Sequence, residues 1–111
     1  MTRWFTFNEP IVVQTRVYLD ALRWPYEQNT STWMQWNYHK VLATASVVKR
    51  FRELGYPGTV GCILNPEVTY PRSRAPHDLR AAEIYDLFYN RVFLDPLVHG
   101  RYPQALFTLL A

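Results

Sequence analysis

An amide and a carboxyl stand side by side at Asn8 and Glu9, where they could bind and protonate a substrate. They follow the run Trp-Phe-Thr-Phe of residues 4–7 and directly precede Pro10. Aromatic and β-branched residues favour a packed strand, and a proline without an N–H ends it. The pattern predicts a short buried strand with Asn8 and Glu9 at its carboxyl end. A carboxyl there suits general acid–base catalysis, although an exposed capping carboxylate would give the same pattern.

A second strand tip is predicted further along the chain. The apolar run 59–64 is typical of a strand that is covered on both faces, as in a parallel sheet. It ends at Asn65, which could lie near the site as a supporting group. Glu67 follows two residues later. It could in principle supply a second carboxylate, but we interpret it as a loop residue because it lies beyond Pro66.

The segment between the two tips contains one clear helix, predicted from about Trp33 to Leu54. Thr32 and Gln35 match a capping box with Thr32 as the N-cap, and Gly55 provides the stop signal. Lys40 and the other charged residues are expected on a solvated face. The predicted buried stripe recurs at helical spacing and consists of Met34, Tyr38, Val41, Ala45, Val48 and Phe51.

Residues 11–31 show no clean period and are predicted to form a long loop, with a short helix allowed at 17–23. Two interpretations of Trp24 and Tyr26 stay open. Their rings could stack on a sugar, or they could anchor the loop on the body of the protein.

The last third of the chain predicts another helix, with Asp78 as the N-cap and an end before Pro96. A short helix is predicted at 105–111. Strands that alternate with helices indicate an α/β fold with parallel pairing. The apolar stripe of the longer helix consists of Ala81, Ile84, Tyr85, Phe88 and Val92.

Composition excludes several classes of function. The net charge is +3 without a run of Lys or Arg, so we expect no nucleic-acid binding. A small basic binding module is a third hypothesis, and it predicts salt-dependent binding to nucleic acid. No apolar run approaches a membrane span, so no membrane association is expected. Cys62 is the single cysteine and is interpreted as a buried structural thiol, which is compatible with a cytoplasmic location. His39, His77 and His99 lack metal-ligand spacing, and we expect neither a metal nor a cofactor.

Residues 4–10 resemble the Thr-Phe-Asn-Glu-Pro signature of glycoside hydrolase family 1, which contains β-glucosidases, β-galactosidases and 6-phospho-β-glycosidases. Three further segments resemble that family in the same order, so the resemblance covers nearly the whole chain. They are residues 38–43, residues 61–65 and residues 89–103.

The resemblance implies a (β/α)8 barrel, of which residues 1–111 would be a fragment of the single catalytic domain. The two βα units would run from the fourth strand to the helix after the fifth. Glu9 would be the general acid/base and Asn8 would bind the 2-hydroxyl of the sugar. Ile11 stands where many family β-glucosidases carry Trp, which resembles bacterial members, some of them acting on 6-phosphorylated disaccharides.

The function expected on this basis is that of a retaining β-glycosidase acting on β-glucosides or 6-phospho-β-glucosides. The family's Thr-Glu-Asn-Gly-type nucleophile motif does not occur in this sequence. We therefore expect the isolated chain to be inactive, to fold poorly, and to associate with the missing barrel portion or with itself. The alternative is a catalytically inactive remnant.

Overall fold

The structure is a computed structural model that describes residues 2–111. It divides into two compact units, one ending at Asn65 and the other spanning Pro66–Ala111. The first unit contains strand β1 (Arg3–Asn8), helices α1 (Pro10–Tyr18) and α2 (Thr30–Glu53), and strand β2 (Thr59–Ile63). The second contains α3 (Pro76–Asp86), a π-helical turn (Leu87–Arg91), α4 (Val92–His99) and α5 (Gln104–Leu110).

The two strands form a parallel sheet, as the sequence predicts. Arg3 lies opposite Thr59 at one end, and Asn8 lies opposite Ile63 at the other. The register shifts between Phe5 and Asn8, so β1 holds one more residue than β2 over that stretch. Such a bulge bends a strand and re-aims the side chains that follow it. Here the side chains that follow are those of Asn8 and Glu9.

The prediction that β1 is buried is wrong for this chain. Trp4 is 46% exposed and Phe5 is 59% exposed. Helix α2 packs against both strands, but the sheet has only two strands among residues 2–111. A strand becomes fully buried only when strands and helices cover both of its faces.

The prediction of a long loop after Pro10 is wrong, because helix α1 occupies its first part. The helix begins at Pro10 itself, a favoured first position because the missing N–H would have no helical partner there. It ends at Tyr18, so the helix allowed at residues 17–23 is wrong. The buried face of α1 includes Gln14 and Thr15, and these polar residues hide the helical period from an apolar pattern.

Helix α2 ends as predicted, at Glu53 before Gly55, but it begins three residues early. Its N-cap is Asn29, whose Oδ1 accepts the Thr32 N–H at 2.9 Å. The predicted N-cap, Thr32, therefore lies inside the first turn. The predicted stripe is wrong in part, because Tyr38 and Ala45 are exposed. The residues of α2 that are fully buried are Trp33, Asn37 and Thr44.

In the second unit, the helix predicted to stop before Pro96 continues past it. After α3, the π-helical turn shifts the helical phase, and α4 then carries Pro96 in its interior. Helix α3 begins at Pro76, and the predicted N-cap Asp78 lies inside it. Asp78 instead accepts a hydrogen bond from Ser73 Oγ. The helix predicted at 105–111 is confirmed as α5. Across residues 2–111, no helix has the length and apolar character needed to cross a membrane.

Candidate active site

Glu9 occupies the single residue between β1 and α1. Its backbone is left-handed, with φ 47° and ψ 55°, and it stands at the N-cap of α1 without a side-chain capping bond. This conformation is costly for a residue with a Cβ atom. It turns the chain from strand to helix in one step. Within residues 2–111 the carboxylate of Glu9 accepts no hydrogen bond, so it is available to a ligand.

The backbone of Glu9 is tied to the end of the neighbouring strand. Its N–H donates to the carbonyl oxygen of Ile63 at 2.8 Å, and Asn8 lies opposite Ile63 in the sheet. The carboxyl ends of both strands therefore meet at one edge, as the parallel arrangement predicts. Asn65 follows β2 and is exposed, and no hydrogen bond within the described chain joins it to Asn8 or Glu9. Its place near the site stays a prediction.

Glu67 lies outside helix and strand, which confirms the loop interpretation. Its backbone is clamped by Asn90, which accepts the Glu67 N–H at 2.9 Å and donates to the Glu67 carbonyl at 2.8 Å. Its carboxylate accepts a hydrogen bond from the hydroxyl of Tyr85. Glu67 therefore has contacts that anchor a loop in the second unit.

A polar contact between α1 and α2 supports the helix that follows Glu9. Gln14 donates from Nε2 to Asn37 Oδ1 at 3.0 Å, and both residues are fully buried. Trp33 donates from Nε1 to Thr15 Oγ1 at 3.4 Å. Buried polar groups need defined partners, so these bonds fix how α1 sits on α2.

Lys40 was expected on a solvated face, and that prediction is wrong. Its side chain is half-buried and donates from Nζ to the carbonyl oxygen of Pro10 at 2.7 Å. Burial lowers the pKa of Lys40 to about 8, because desolvation disfavours the charged form. Lys40 lies seven residues after Trp33, on the buried side of α2, and that spacing is the signal that could have found it.

The aromatic residues of the loop between α1 and α2 are displayed to solvent. Trp24 is 80% exposed and Tyr26 is 67% exposed, so the interpretation that they anchor the loop on this unit is wrong. The base of the loop is closed by other groups. Asn29 N–H donates to the Tyr18 carbonyl at 2.9 Å, and Gln28 Nε2 donates to the Leu19 carbonyl at 3.0 Å. Sugar stacking by the two rings stays a prediction.

No group of three or more His, Cys, Asp or Glu residues that could hold a metal ion occurs within residues 2–111. Cys62 is partly rather than fully buried, and desolvation raises the pKa of its thiol. The second unit has a separate cavity of about 630 Å³ near the Arg91–Asp95 ion pair, at the corner between α4 and α5.

Asn8 and Glu9 thus lie at the end of β1, beside the parallel strand β2. Known proteins with similar sequences and structures show which family this chain belongs to. The sequence profile of the family described as glycosyl hydrolase family 1 matches residues 1–111. The chain belongs to glycosyl hydrolase family 1. Among its curated relatives in family 1, the 6-phospho-beta-glucosidase of Bacillus subtilis (strain 168) is 41% identical over 108 residues. Beta-glucosidase A of Acetivibrio thermocellus is 34% identical over 106 residues.

Solved structures agree with the family assignment. A family 1 β-glucosidase from Thermotoga maritima superimposes with a TM-score of 0.81 at 29% identity, over 95% of this chain. A β-glucosidase from Exiguobacterium marinum superimposes with a TM-score of 0.90 at 26% identity, over 99% of this chain. The match covers 24% and 25% of those two chains. It covers 97% and 96% of this chain, but only 23% and 24% of the Bacillus and Acetivibrio enzymes. The chain therefore spans about a quarter of the length of its family 1 relatives.

Proposed function

We propose that this chain supplies the acid/base part of the active site of a retaining β-glycosidase of family 1. The observation that carries the proposal is the position of Glu9. It is the Glu of the Asn-Glu-Pro motif, it stands at the carboxyl end of a parallel strand, and its carboxylate has no hydrogen bond within residues 2–111. In barrel enzymes the reacting groups stand at that end of the strands. Within the barrel, the chain corresponds to the fourth strand through the helix after the fifth.

Glu9 first donates a proton to the glycosidic oxygen as the aglycone leaves. It then removes a proton from the water that attacks the glycosyl–enzyme intermediate. Asn8 binds the 2-hydroxyl of the sugar, an interaction that strengthens in the transition state. The retaining mechanism also needs a nucleophilic carboxylate about 5 Å from the acid/base. The family's motif for that residue does not occur in this sequence, so the nucleophile comes from other barrel strands.

The proposed substrates are β-glucosides or 6-phospho-β-glucosides, the classes named for the Acetivibrio and Bacillus relatives. Ile11 after the Asn-Glu-Pro motif resembles bacterial members of the family, of which only some act on 6-phosphorylated disaccharides, so both classes stay in the proposal. The motif and its mechanism use no metal or cofactor. The cytoplasmic location expected from the sequence stays part of the proposal.

The exposed apolar side chains of β1 suggest a surface that a partner covers. In a complete barrel, the side chains of Trp4 and Phe5 would be covered by the barrel interior and by the outer helices, so we propose the remaining barrel portion as that partner. Light scattering after size exclusion tests this. The chain alone should self-associate, and co-expression with the remaining portion of the Bacillus enzyme should give a 1:1 complex. A stable monomer with a sharp, cooperative thermal transition would contradict the proposal.

A chimaeric enzyme tests the role of Glu9. Residues 2–111 replace the matching 108-residue stretch of the Bacillus 6-phospho-beta-glucosidase, which is 41% identical. The chimaera should hydrolyse aryl β-glucosides or their 6-phosphates. Glu9→Gln should lower kcat/KM about 10²- to 10⁴-fold for a poor leaving group such as phenol. The loss should be much smaller for dinitrophenol, whose departure needs no proton.

Two further observations complete this test. Azide should restore turnover of the dinitrophenyl substrate by Glu9→Gln, because it attacks the intermediate without a general base, and the product is the β-glycosyl azide. Glu53→Gln, at an exposed carboxylate of α2, is the matched control and should leave activity unchanged. Full activity in Glu9→Gln would refute the proposal.

The competing hypothesis is a catalytically inactive remnant, and the observation that favours it is the absence of the second carboxylate motif. It predicts that a folded chimaera, with native circular dichroism and a cooperative melt, is inactive even with Glu9 in place.

A further inference from the structure

The backbone around Glu9 is held by two hydrogen bonds that come from different elements. On the strand side, the Glu9 N–H donates to the Ile63 carbonyl of β2 at 2.8 Å. On the helix side, the carbonyl of Pro10 accepts a bond from Lys40 Nζ of α2 at 2.7 Å. Glu9 therefore lies between two tertiary contacts, one on each side of its own peptide units.

These contacts matter because the left-handed backbone conformation of Glu9 is unfavourable without support from its surroundings. A left-handed residue with a Cβ atom persists only when its surroundings determine it. Helix α1 lacks a side-chain cap at this end, so no local bond from the Glu9 carboxylate fixes the turn. The bonds made with Ile63 and Lys40 hold the backbone on either side of this turn.

Lys40 is unlike the other cations of its helix. Lys49 and Arg50 are exposed and pair with Glu53. Lys40 is half-buried, and no carboxylate within residues 2–111 lies at ion-pair distance from its Nζ. Its ammonium lies 5.3 Å from the ring centre of Trp36. Burial of this charge is unfavourable, and the compensating polar contact is the Pro10 carbonyl.

We propose that Lys40 is a positioning residue for Glu9, acting through the carbonyl of Pro10. Lys40 fixes the first turn of α1 and thereby holds the Glu9 carboxyl in one direction at the strand tip. The proposal rests on the acid/base role of Glu9 proposed above. Lys40 itself need not contact the substrate, because its bond is to the backbone next to the carboxyl.

Amide hydrogen exchange on the chimaeric enzyme, which contains residues 2–111, tests the positioning directly. Lys40→Met keeps the length and apolar part of the side chain but removes the donor. It should speed exchange of the Glu9 amide about tenfold or more, and it should change the Thr59 amide less than about threefold. Thr59 is the internal reference, because its N–H donates to the Thr2 carbonyl at 2.8 Å, at the other end of the sheet.

Two matched variants complete this experiment. Lys40→Arg retains a donor and should keep most of the protection at Glu9. Lys49→Met removes an exposed cation of the same helix and should leave both amides unchanged. Unchanged exchange at Glu9 in Lys40→Met would overturn the proposal. An equal loss at Glu9 and Thr59 would also overturn it, because Lys40 would then act on general stability.

Kinetics of the chimaeric enzyme separate positioning from overall folding. A misplaced acid hinders departure of poor leaving groups more than good ones. Lys40→Met should therefore lower kcat/KM about tenfold for the phenyl substrate and less than about threefold for the dinitrophenyl substrate, with KM little changed. Equal losses on both substrates would contradict a positioning role.

Glu9→Gln in the same chimaera distinguishes the two proposals. If Glu9→Gln shows the leaving-group dependence and Lys40→Met does not, the role of Lys40 is refuted and that of Glu9 stands. If neither variant shows it, the acid/base assignment is refuted together with the positioning role.

Discussion

Gly58, in the turn before β2, is the position where one added methyl group should disturb the sheet most. A Cβ atom at Gly58 would lie 2.1 Å from the Thr2 carbonyl oxygen and 2.6 Å from its carbon. Both are backbone atoms, so the strand itself must move. The same oxygen accepts the Thr59 N–H at 2.8 Å, and the movement would break that bond. Gly58 also has φ +104°, a conformation that alanine rarely adopts.

The magnitude for Gly58→Ala follows from these terms. The backbone conformation costs roughly 1–2 kcal/mol for a residue with a Cβ atom. Loss of the Thr2–Thr59 hydrogen bond costs about 1 kcal/mol more. We therefore expect Gly58→Ala to lower the free energy of unfolding by about 2–3 kcal/mol, with any remaining steric overlap adding to this.

Gly55→Ala is the matched control, because Gly55 has φ +63° and no atom within 4 Å of an added Cβ. It should cost only about 1 kcal/mol, from the backbone conformation alone. Urea denaturation of both variants in the chimaeric enzyme, followed by circular dichroism, measures the difference between them. Thr59 amide exchange should rise more in Gly58→Ala than in Gly55→Ala. Equal costs for the two variants would refute the argument that the Thr2 backbone limits position 58.

Three further predictions concern single contacts, and each is measured in the chimaeric enzyme. Asn29→Ala should lower the unfolding free energy by about 1 kcal/mol through loss of the α2 N-cap, and Thr32→Ala by less than about 0.5 kcal/mol, as urea denaturation would show. Tyr85→Phe should cost about 1–3 kcal/mol in thermal unfolding, because the Glu67 carboxylate loses its donor. Burial lowers the Lys40 pKa from 10.5 to about 8, so between these values the folded chain binds fewer protons than the unfolded chain. Stability of the wild type relative to Lys40→Met should therefore rise from pH 8 to pH 10.5, as urea midpoints across that range would show.

Short sequence signals were enough to predict where strand β1 and helix α2 end and where strand β2 lies. Pro10 ends β1, the apolar run 59–64 predicts β2, and Gly55 ends α2 because it supplies the left-handed residue that follows a helix. Each of these signals acts over a few residues. The parallel pairing of the strands followed from the order of strands and helices and needed no long-range detail.

Buried helix faces that include polar residues were not predicted correctly. Helix α1 packs Gln14 and Thr15 against α2, so its apolar residues show no helical period. The buried face of α2 similarly includes Asn37 and Thr44, and the pattern chose a neighbouring apolar stripe instead. The helix through Pro96 was missed because a proline usually ends a helix, and the π-helical turn ahead of it cannot be seen in composition.

The sequence predicted the residues of the candidate site but not the contact that holds the backbone beside Glu9. The Asn-Glu-Pro motif marks Asn8 and Glu9 from the sequence alone. The bond from Lys40 to Pro10 joins residues thirty positions apart, and a lysine on an amphipathic helix is ordinarily assigned to solvent. Only the fold brings the two together.

The left-handed backbone at position 9 opposes stability to the acid/base role that we propose for Glu9. Glycine adopts this conformation without cost, and asparagine tolerates it better than glutamate does. A library of all twenty residues at position 9 should therefore give two different rankings. Selection for a folded, protease-resistant chain should enrich glycine and asparagine, while selection for hydrolysis in the chimaera should retain glutamate. Selection for stability alone would therefore replace the glutamate at position 9.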